Sequence, residues 1–383
     1  MMRLLYICRC CSSLNTGINK KISAQVDNLV KQGVNATIIS ICAENNHQKL
    51  NQRIQQIQIL GNELPSGVIG KIKREFQINK VINDIIRTSN DCDIIYLRIR
   101  YPSLQLYKMF SQPRKCKIVI EYQAIEPREY RLKKKYWYLP MDVLFGSSIR
   151  KYTDAIVGVT NEITQYQLKR SGDPNKPHIT IGNGFDVASV PIRTSPPYGG
   201  QELHLLCVAI FHRAHGLDRL LHGISAYADS KKIVLHLVGN GDEINNLLYL
   251  AKRLGISDNV VYHGFLKERL LDDIFNLCHV GIGTLGLHRN GLSEGSILKA
   301  REYCARGIPF LYDAFDHDFP PDFPYIFQLP ADESPIDIGQ VIAFAEDVLA
   351  EPEHPRQMRR YAAEHLDWSV KMKKLKDFLE TLG

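Results

Sequence analysis

Glu294 and Glu302 stand eight residues apart in GLSEGSILKAREYCARGIPF, Gly291 to Phe310. Ser296 is placed to cap a helix beginning at Ile297, and Gly307 to close it. Glu294 then falls in the loop before the helix. Glu302 falls about two turns along it, near the face of Leu298 and Lys299. A helix start offers unpaired N–H groups and a positive dipole end, which suit a phosphate. A carboxylate further along accepts hydrogen bonds from a pair of sugar hydroxyls. One element can thus hold both halves of a nucleotide-sugar.

The surrounding sequence supplies the frame. A Gly-rich loop, Gly281 to Gly286, follows the apolar run Cys278 to Val280, and Ile308 to Leu311 reads as the next buried strand. Upstream, Leu203 to Ile210 is an apolar strand and Ile233 to Val238 another. The second leads into Gly239-Asn240-Gly241-Asp242-Glu243. Ile244 occupies the place of the third glycine of a dinucleotide loop, so Gly241 is read as part of a tight turn flooring the site. Helices are expected over Glu243 to Leu254 and Leu266 to Leu277, with a strand between them running to Tyr262 and ending at His263. Strand and helix alternating from 203 to 312 are one half of a doubly wound α/β fold.

The front of the chain repeats the pattern. Arg3 to Cys8, Ile22 to Gln32 and Ala36 to Ile41 form a β-α-β unit. Ligands bind at the carboxyl ends of such strands, which singles out the loop Thr16 to Lys21 with Gly17; Lys117 to Ile120 is a further strand, ending at Glu121. Pro191 to Gly200 holds three Pro and two Gly and reads as an inter-domain linker. Amphipathic helices are expected at Ile338 to Leu349 and Arg356 to Leu382.

Charge is uneven along the 383 residues. Residues 1–190 carry 28 Lys/Arg against 15 Asp/Glu, and residues 191–383 carry 20 against 26. A basic front half implies a polyanionic partner. In 128–151, Arg128, Arg131 and Lys133 to Lys135 adjoin Tyr136, Trp137, Tyr138 and Phe145, a mixture that suits an anionic membrane surface. No nucleic-acid-binding motif accompanies the charge, so nucleic acid is not expected. Nine cysteines show no paired spacing, and Cys8, Cys10 and Cys11 lack a matching Cys/His set. Asp91/Asp93 and Asp316/Asp318 read as solvated acids, so no metal is expected. No run of 18 apolar residues exists, and the opening apolar piece is too short for a secretory signal. The expected location is cytoplasmic, with peripheral contact at the inner face of the membrane.

Glu-x7-Glu followed by A-R-G-I-P resembles the donor site of retaining glycosyltransferases of the GT-B fold, glycosyltransferase family 4. Phe211 to Leu220 resembles that family's phosphate-contacting segment. Most members place an Arg and a Lys there; this chain has Ile210 and His215, and Arg213 is the candidate for the missing charge. The run His215-Gly216-Leu217-Asp218-Arg219 is similar to a variant found in capsule and exopolysaccharide transferases. Asn183 to Asp186 resembles the N-G-x-D that closes the first domain. Where many relatives place a His-Asp pair, this chain reads Glu121-Tyr122-Gln123-Ala124, leaving Glu121 or Glu126 for that position.

The resemblance implies two Rossmann-like domains facing a cleft: 1–190 on the acceptor side, 201–362 holding the donor, and 363–383 as a C-terminal helix with Trp368 that returns to the first domain. It implies transfer of a sugar from a nucleotide-sugar to a lipid-linked or polysaccharide acceptor, without a cofactor, in cell-surface polysaccharide biosynthesis. The implied donor contacts are Gly17, Arg213, His215, Gly241, His263, the backbone of Ser296, Ile297, Leu298 and Lys299, and Glu302. Glu294, Arg213 and Glu121 take the catalytic roles. A non-catalytic nucleotide-sugar or polyanion binding protein is the alternative. The broken glycine pattern disfavours a nicotinamide-dependent oxidoreductase.

Overall fold

A computed structural model describes residues 1–9, 17–42, 54–58, 67–89, 91–98 and 101–383. Cys10, Cys11, Thr16 and Arg100 lie outside the described residues. The chain divides into two compact units, Met1–Gly182 with Trp368–Gly383, and Asn183–Asp367.

The first unit runs β1 (Arg3–Arg9), α1 (Gly17–Lys31), β2 (Asn35–Cys42), β3 (Ile54–Gln58), α2 (Gly67–Thr88), β4 (Ile94–Arg98), α3 (Leu104–Phe110), β5 (Lys117–Tyr122), α4 (Glu126–Leu132), α5 (Tyr138–Met141), α6 (Ser147–Tyr152), β6 (Ala155–Gly158), α7 (Asn161–Ser171) and β7 (His178–Thr180). Its strands form one parallel sheet in the order β3-β2-β1-β4-β5-β6-β7. The interiors of β1, β4, β5 and β6 are buried on both faces, which is why they read as unbroken apolar runs. Helix α1 starts at Gly17, five residues before the expected Ile22, so Lys21 and Gln25 sit on its buried face.

The second unit runs β8 (Glu202–Ile210), α8 (Leu217–Ala226), β9 (Lys232–Asn240), α9 (Ile244–Arg253), β10 (Val260–Gly264), α10 (Glu268–Leu277), β11 (Val280–Ile282), α11 (Leu298–Arg306), β12 (Phe310–Tyr312), β13 (Ile326–Gln328), α12 (Ile338–Leu349) and α13 (His354–Tyr361). Its sheet is also parallel, in the order β10-β9-β8-β11-β12-β13. Strand order reverses direction between β8 and β11, so the loops after these two strands meet where doubly wound sheets hold their ligands.

Two expected elements are corrected. The amphipathic stretch Arg356 to Leu382 is not one helix: it breaks at Asp367 between α13 and α14 (Trp368–Glu380). Helix α14 packs on α1 within the first unit, with Trp368 buried and Gln32 Nε2 donating to the Ser369 carbonyl at 2.7 Å. The stretch read as a linker is no free tether either. Arg193 is buried in the second unit and donates to the carbonyls of Gly307 (2.9 Å) and Cys278 (2.6 Å), which ties the stretch to that unit.

Candidate functional site

The expected site residues fall into two groups. Gly17, Glu121 and its alternative Glu126 belong to the first unit, and all the others to the second.

Glu121 is enclosed. It lies on β5 at 2 % exposure, and Lys21 reaches it from α1 with Nζ 2.9 Å from Oε1. Tyr96 donates to Oε2 at 2.8 Å, Gln25 Nε2 to the same oxygen at 3.3 Å, and Gln123 Nε2 to Oε1. Burial raises the carboxyl pKa, but Lys21, Arg98 and these hydrogen bonds more than reverse this and bring it to about 2. The arrangement makes Glu121 a buried anchor between α1 and the sheet, with its acceptor capacity already engaged. Glu126 is likewise buried, with Arg150 Nη2 at 2.9 Å and Gln167 Nε2 at 2.9 Å on Oε2. Gly17 opens α1.

In the second unit the loop after β8 is built on a tight turn. Phe211 is buried in the core, and Arg213–His215 form a single 3-10 turn ended by Gly216. Gly216 has φ +66, and a Cβ there would lie 2.4 Å from the Leu285 carbonyl oxygen. That contact is the meeting of the two loops at the switch point, sealed by the Leu285 N–H donating to the His215 carbonyl at 3.0 Å. Gly241 serves the same closeness from β9: its φ is +150, and a Cβ would meet the Phe211 oxygen at 2.2 Å. The expectation of a tight turn at Gly241 thus has a physical basis in backbone-to-backbone contact.

His215 is 9 % exposed, with its ring stacked on His212 at a centroid distance of 3.9 Å. Its Nδ1 accepts the His212 N–H at 3.4 Å. Burial first, then the Lys299 charge and His212, push its pKa far below the usual histidine range. His215 is therefore a neutral imidazole across the physiological range. Arg213 beside it is exposed, with no ion pair among the described residues. Ile210, at the end of β8, is 72 % exposed.

Helix α11 is fixed across the switch point by Tyr303, whose hydroxyl accepts the Val208 N–H at 3.1 Å and donates to the Ile282 carbonyl at 3.2 Å. The helix begins at Leu298, with extended Ile297 at its N-cap and no side chain capping it. Ser296 is therefore not the cap that its position suggested. Its hydroxyl accepts the Asn183 N–H at 2.6 Å and its carbonyl takes the Asn183 side-chain amide. The first-turn N–H groups of α11 are left without a side-chain acceptor, as an anion site requires. Gly307 does close the helix, at φ +79.

Glu302 is half-buried, with Oε1 held by Arg306 Nε at 2.9 Å, while Arg306 also reaches Asp272 at 2.6 Å. Being four residues beyond Leu298 and three beyond Lys299, it shares their face. Glu294 is held in the loop by a bridge to Phe315, with Oε1 3.0 Å from His317 Nε2. His263 is taken up elsewhere. Its Nε2 lies 2.9 Å from His236 Nδ1, His236 Nε2 lies 2.9 Å from His204 Nδ1, and His204 Nε2 lies 3.3 Å from Glu202. This is a row of imidazoles running across β10, β9 and β8.

Asp316 is not the solvated acid expected. It is 7 % exposed and clamped by Arg301, which also reaches Asp318 at 2.6 Å and the Asn183 carbonyl at 3.0 Å. Asp93 does sit at the surface, paired with Arg3 at 2.9 Å. Sequence reading also missed the side chain of Lys299, to which it gave only a backbone role. A lysine in the first turn of a helix, against the dipole, is the signal that should have drawn notice.

The family model "Glycosyl transferases group 1" matches residues 192–320, the stretch that contains all of these second-unit positions except Asn183. No curated protein matches the chain. Among solved structures, sucrose-phosphate synthase from Thermosynechococcus elongatus is similar with TM-score 0.72 and 13% identity, covering 100% of this chain and 99% of that one. The lipopolysaccharide outer core galactosyltransferase WaaB is similar with TM-score 0.67 and 13% identity, covering 99% of each chain. Anabaena Alr3699/HepE, solved in complex with UDP, gives TM-score 0.67 and 12% identity over 99% of this chain and 100% of that one. At these identities the likeness is one of fold, and the fold is the GT-B fold.

Proposed function

We propose that this chain transfers a sugar from a nucleotide-sugar donor to a lipid-linked or polysaccharide acceptor, with retention of configuration, in the making of a cell-surface polysaccharide such as capsule or exopolysaccharide. The observation that carries the donor half is the uncapped start of α11, with Glu294 just before it and Glu302 within it, inside the stretch that matches the glycosyl transferase model. Backbone N–H groups there meet the diphosphate, Glu302 Oε2 accepts ribose hydroxyls while Arg306 holds Oε1, and Glu294 touches the sugar. The work of such a site is to stabilise charge developing on the leaving diphosphate and to hold the acceptor oxygen in line. Side-chain cations do this here, so no metal ion is invoked.

A thermal-shift panel of nucleoside diphosphates, nucleotide-sugars, NAD and free sugars tests the donor reading. One nucleoside diphosphate should raise the melting temperature most, by several degrees at about 100 times its dissociation constant. Its nucleotide-sugar should be slowly hydrolysed with and without EDTA. Equal shifts with NAD would remove the donor assignment. Diphosphate binding with no turnover on any acceptor would leave the non-catalytic alternative.

For the acceptor side we propose contact with an anionic membrane surface through 128–151. Leu132, Tyr136, Val143 and Leu144 are exposed beside Arg131, Lys133 and Lys134. Not all of the segment is available: Tyr138 is buried, stacked 3.9 Å from Tyr101, and Lys135 Nζ is tied to the Tyr101 hydroxyl at 2.8 Å. The useful variant therefore exchanges Lys133 and Lys134 for Glu together with Val143→Ser and Leu144→Ser. Each basic residue near such a surface contributes about 1 kcal/mol. Sedimentation with vesicles containing phosphatidylglycerol should show binding that weakens with salt and is lost in the variant. Binding unaltered by the four changes would place the contact elsewhere.

A further inference from the structure

Lys299 stands in the first turn of α11, where a cation is electrostatically out of place. Its ammonium has three donors to satisfy. Among the described residues its one hydrogen-bond partner is the Cys207 sulfur, 3.8 Å from Nζ. Cys207 is buried in β8, and its thiol pKa is raised, so the partner is a neutral sulfur and not a thiolate. The acid whose charge acts on Lys299, Asp313, makes no hydrogen bond to it: its Oδ2 accepts the Leu287 N–H at 2.8 Å, and its Oδ1 is buried without a hydrogen-bond partner among the described residues. Burial lowers the Lys299 pKa, with Cys207 and Asp313 acting against it. A partly desolvated ammonium without a hydrogen-bonded counter-ion is costly, and the fold keeps this one beside other donors. His215 is next to it electrostatically and is held neutral. With Nδ1 taken by the His212 N–H, its proton rests on Nε2. The first-turn N–H groups of α11 are uncapped.

We infer that the Lys299 ammonium is the counter-charge for the donor diphosphate, with His215 beside it donating a hydrogen bond and no charge; this rests on the reading of the site as a nucleotide-sugar site. It also orders the two cations. Arg213 is exposed, so solvent and salt screen its pull on a phosphate. Lys299 is partly buried and screened less. The inner cation should therefore matter more than the outer one. Because Lys299 loses its charge at a lower pH than an ordinary lysine, diphosphate affinity should fall as pH rises into the alkaline range below the usual lysine value, where the phosphate itself no longer titrates.

The test is calorimetric titration of the full chain with UDP, ADP and GDP and with the matching nucleosides. For whichever diphosphate binds, Lys299→Met should weaken affinity about 10- to 100-fold, the range of a hydrogen bond to a charged group, and leave nucleoside affinity within about threefold. Arg213→Ala should cost less than Lys299→Met. Lys299→Arg should retain binding and abolish that alkaline decline, a change that a merely structural role would not produce. Diphosphate affinity unchanged in Lys299→Met overturns this inference while the donor site stands. Equal loss of nucleoside and diphosphate also overturns it, with thermal melts of both variants separating a collapsed site from a misassigned charge. No diphosphate binding by the unmodified chain overturns the donor site itself.

Discussion

Replacing Arg301 with Met should destabilise the second unit by about 3–5 kcal/mol, the usual result of removing one partner of a buried ion pair. Arg301 is fully buried. Its guanidinium lies 2.9 Å from Asp316 Oδ1 and 2.6 Å from Asp318 Oδ2, donates to the Asn183 carbonyl at 3.0 Å, and sits 5.5 Å from the Phe319 ring centre. One planar fork thus joins α11, the loop after β12 and the chain entering the unit. Without it, Asp316 keeps the Asp318 N–H at 3.1 Å and the Tyr312 hydroxyl at 3.3 Å, which are neutral donors and cannot match a buried carboxylate. At roughly 2–4 °C per kcal/mol, the unit should melt on the order of 10 °C lower. Arg301→Lys should recover only part, since a point charge cannot serve three acceptors set for a fork. Adding Asp316→Asn to Arg301→Met should restore some stability by removing the stranded charge. A loss under about 1 kcal/mol for Arg301→Met in differential scanning calorimetry would mean that the pair is wet and loosely held.

Acid should unfold the second unit before the first. Burial holds His236, His279 and His354 down to about 4, and lowers His263 and His215 as well. The partners explain the cost of a second proton. With Glu202 accepting from His204, both His204 and His236 already donate with one nitrogen and accept with the other, and His263 donates to His236. His354 Nε2 lies 3.0 Å from Arg193 Nη2, so a proton added there would face a cation. A histidine with its folded pKa below the unfolded value contributes stability that is fully present above about 6.5 and lost as pH falls through the folded pKa. For a 4 % exposed group such as His236 the span from 6.5 to about 4 represents up to about 3 kcal/mol. The row titrates as a coupled set, so its members do not simply add. Asp313, with its carboxyl pKa raised by burial, works weakly in the opposite direction.

The first unit has a different window. Glu121, held to about 2, contributes stability present above about 4.5 and lost only as pH falls toward 2; Glu126, raised by burial, opposes it. Both tryptophans, Trp137 and Trp368, lie in the first unit. Between pH 6.5 and 4 far-ultraviolet circular dichroism should therefore lose amplitude while tryptophan emission holds. His236→Asn should shift the first transition to lower pH. One concerted transition below pH 4, seen equally by both signals, would contradict this ordering.

What the sequence disclosed was local. Most strands of both sheets are short apolar runs, and Gly307 closes α11 because only its own φ is at issue. What it concealed was set by distant partners. Ser296 carries every feature of a helix cap, yet Asn183, far upstream, claims its hydroxyl first. Asp316 and Asp318 look solvated until Arg301 is seen to point at them from the helix before. Glu121 looked like a free acid at a strand end, because nothing in its neighbourhood reveals that Lys21 and Gln25 approach from α1. The strand Ile54–Gln58, IQQIQ, has too little apolar content to announce itself and is recruited by its pairing with β2.

The return of α14 to α1 has a consequence in time. Trp368, Met372, Leu375 and Leu379 are buried in a unit whose other residues are made before residue 183. At roughly 5–20 residues per second, synthesis of the intervening unit takes on the order of 10–40 s. Throughout that interval the second unit can close on itself as it emerges, while the face of α1 that α14 will cover stays open to water or to a chaperone. The unit begun first is therefore completed after the second, and a ribosome stalled before α14 emerges leaves the first unit without its last helix.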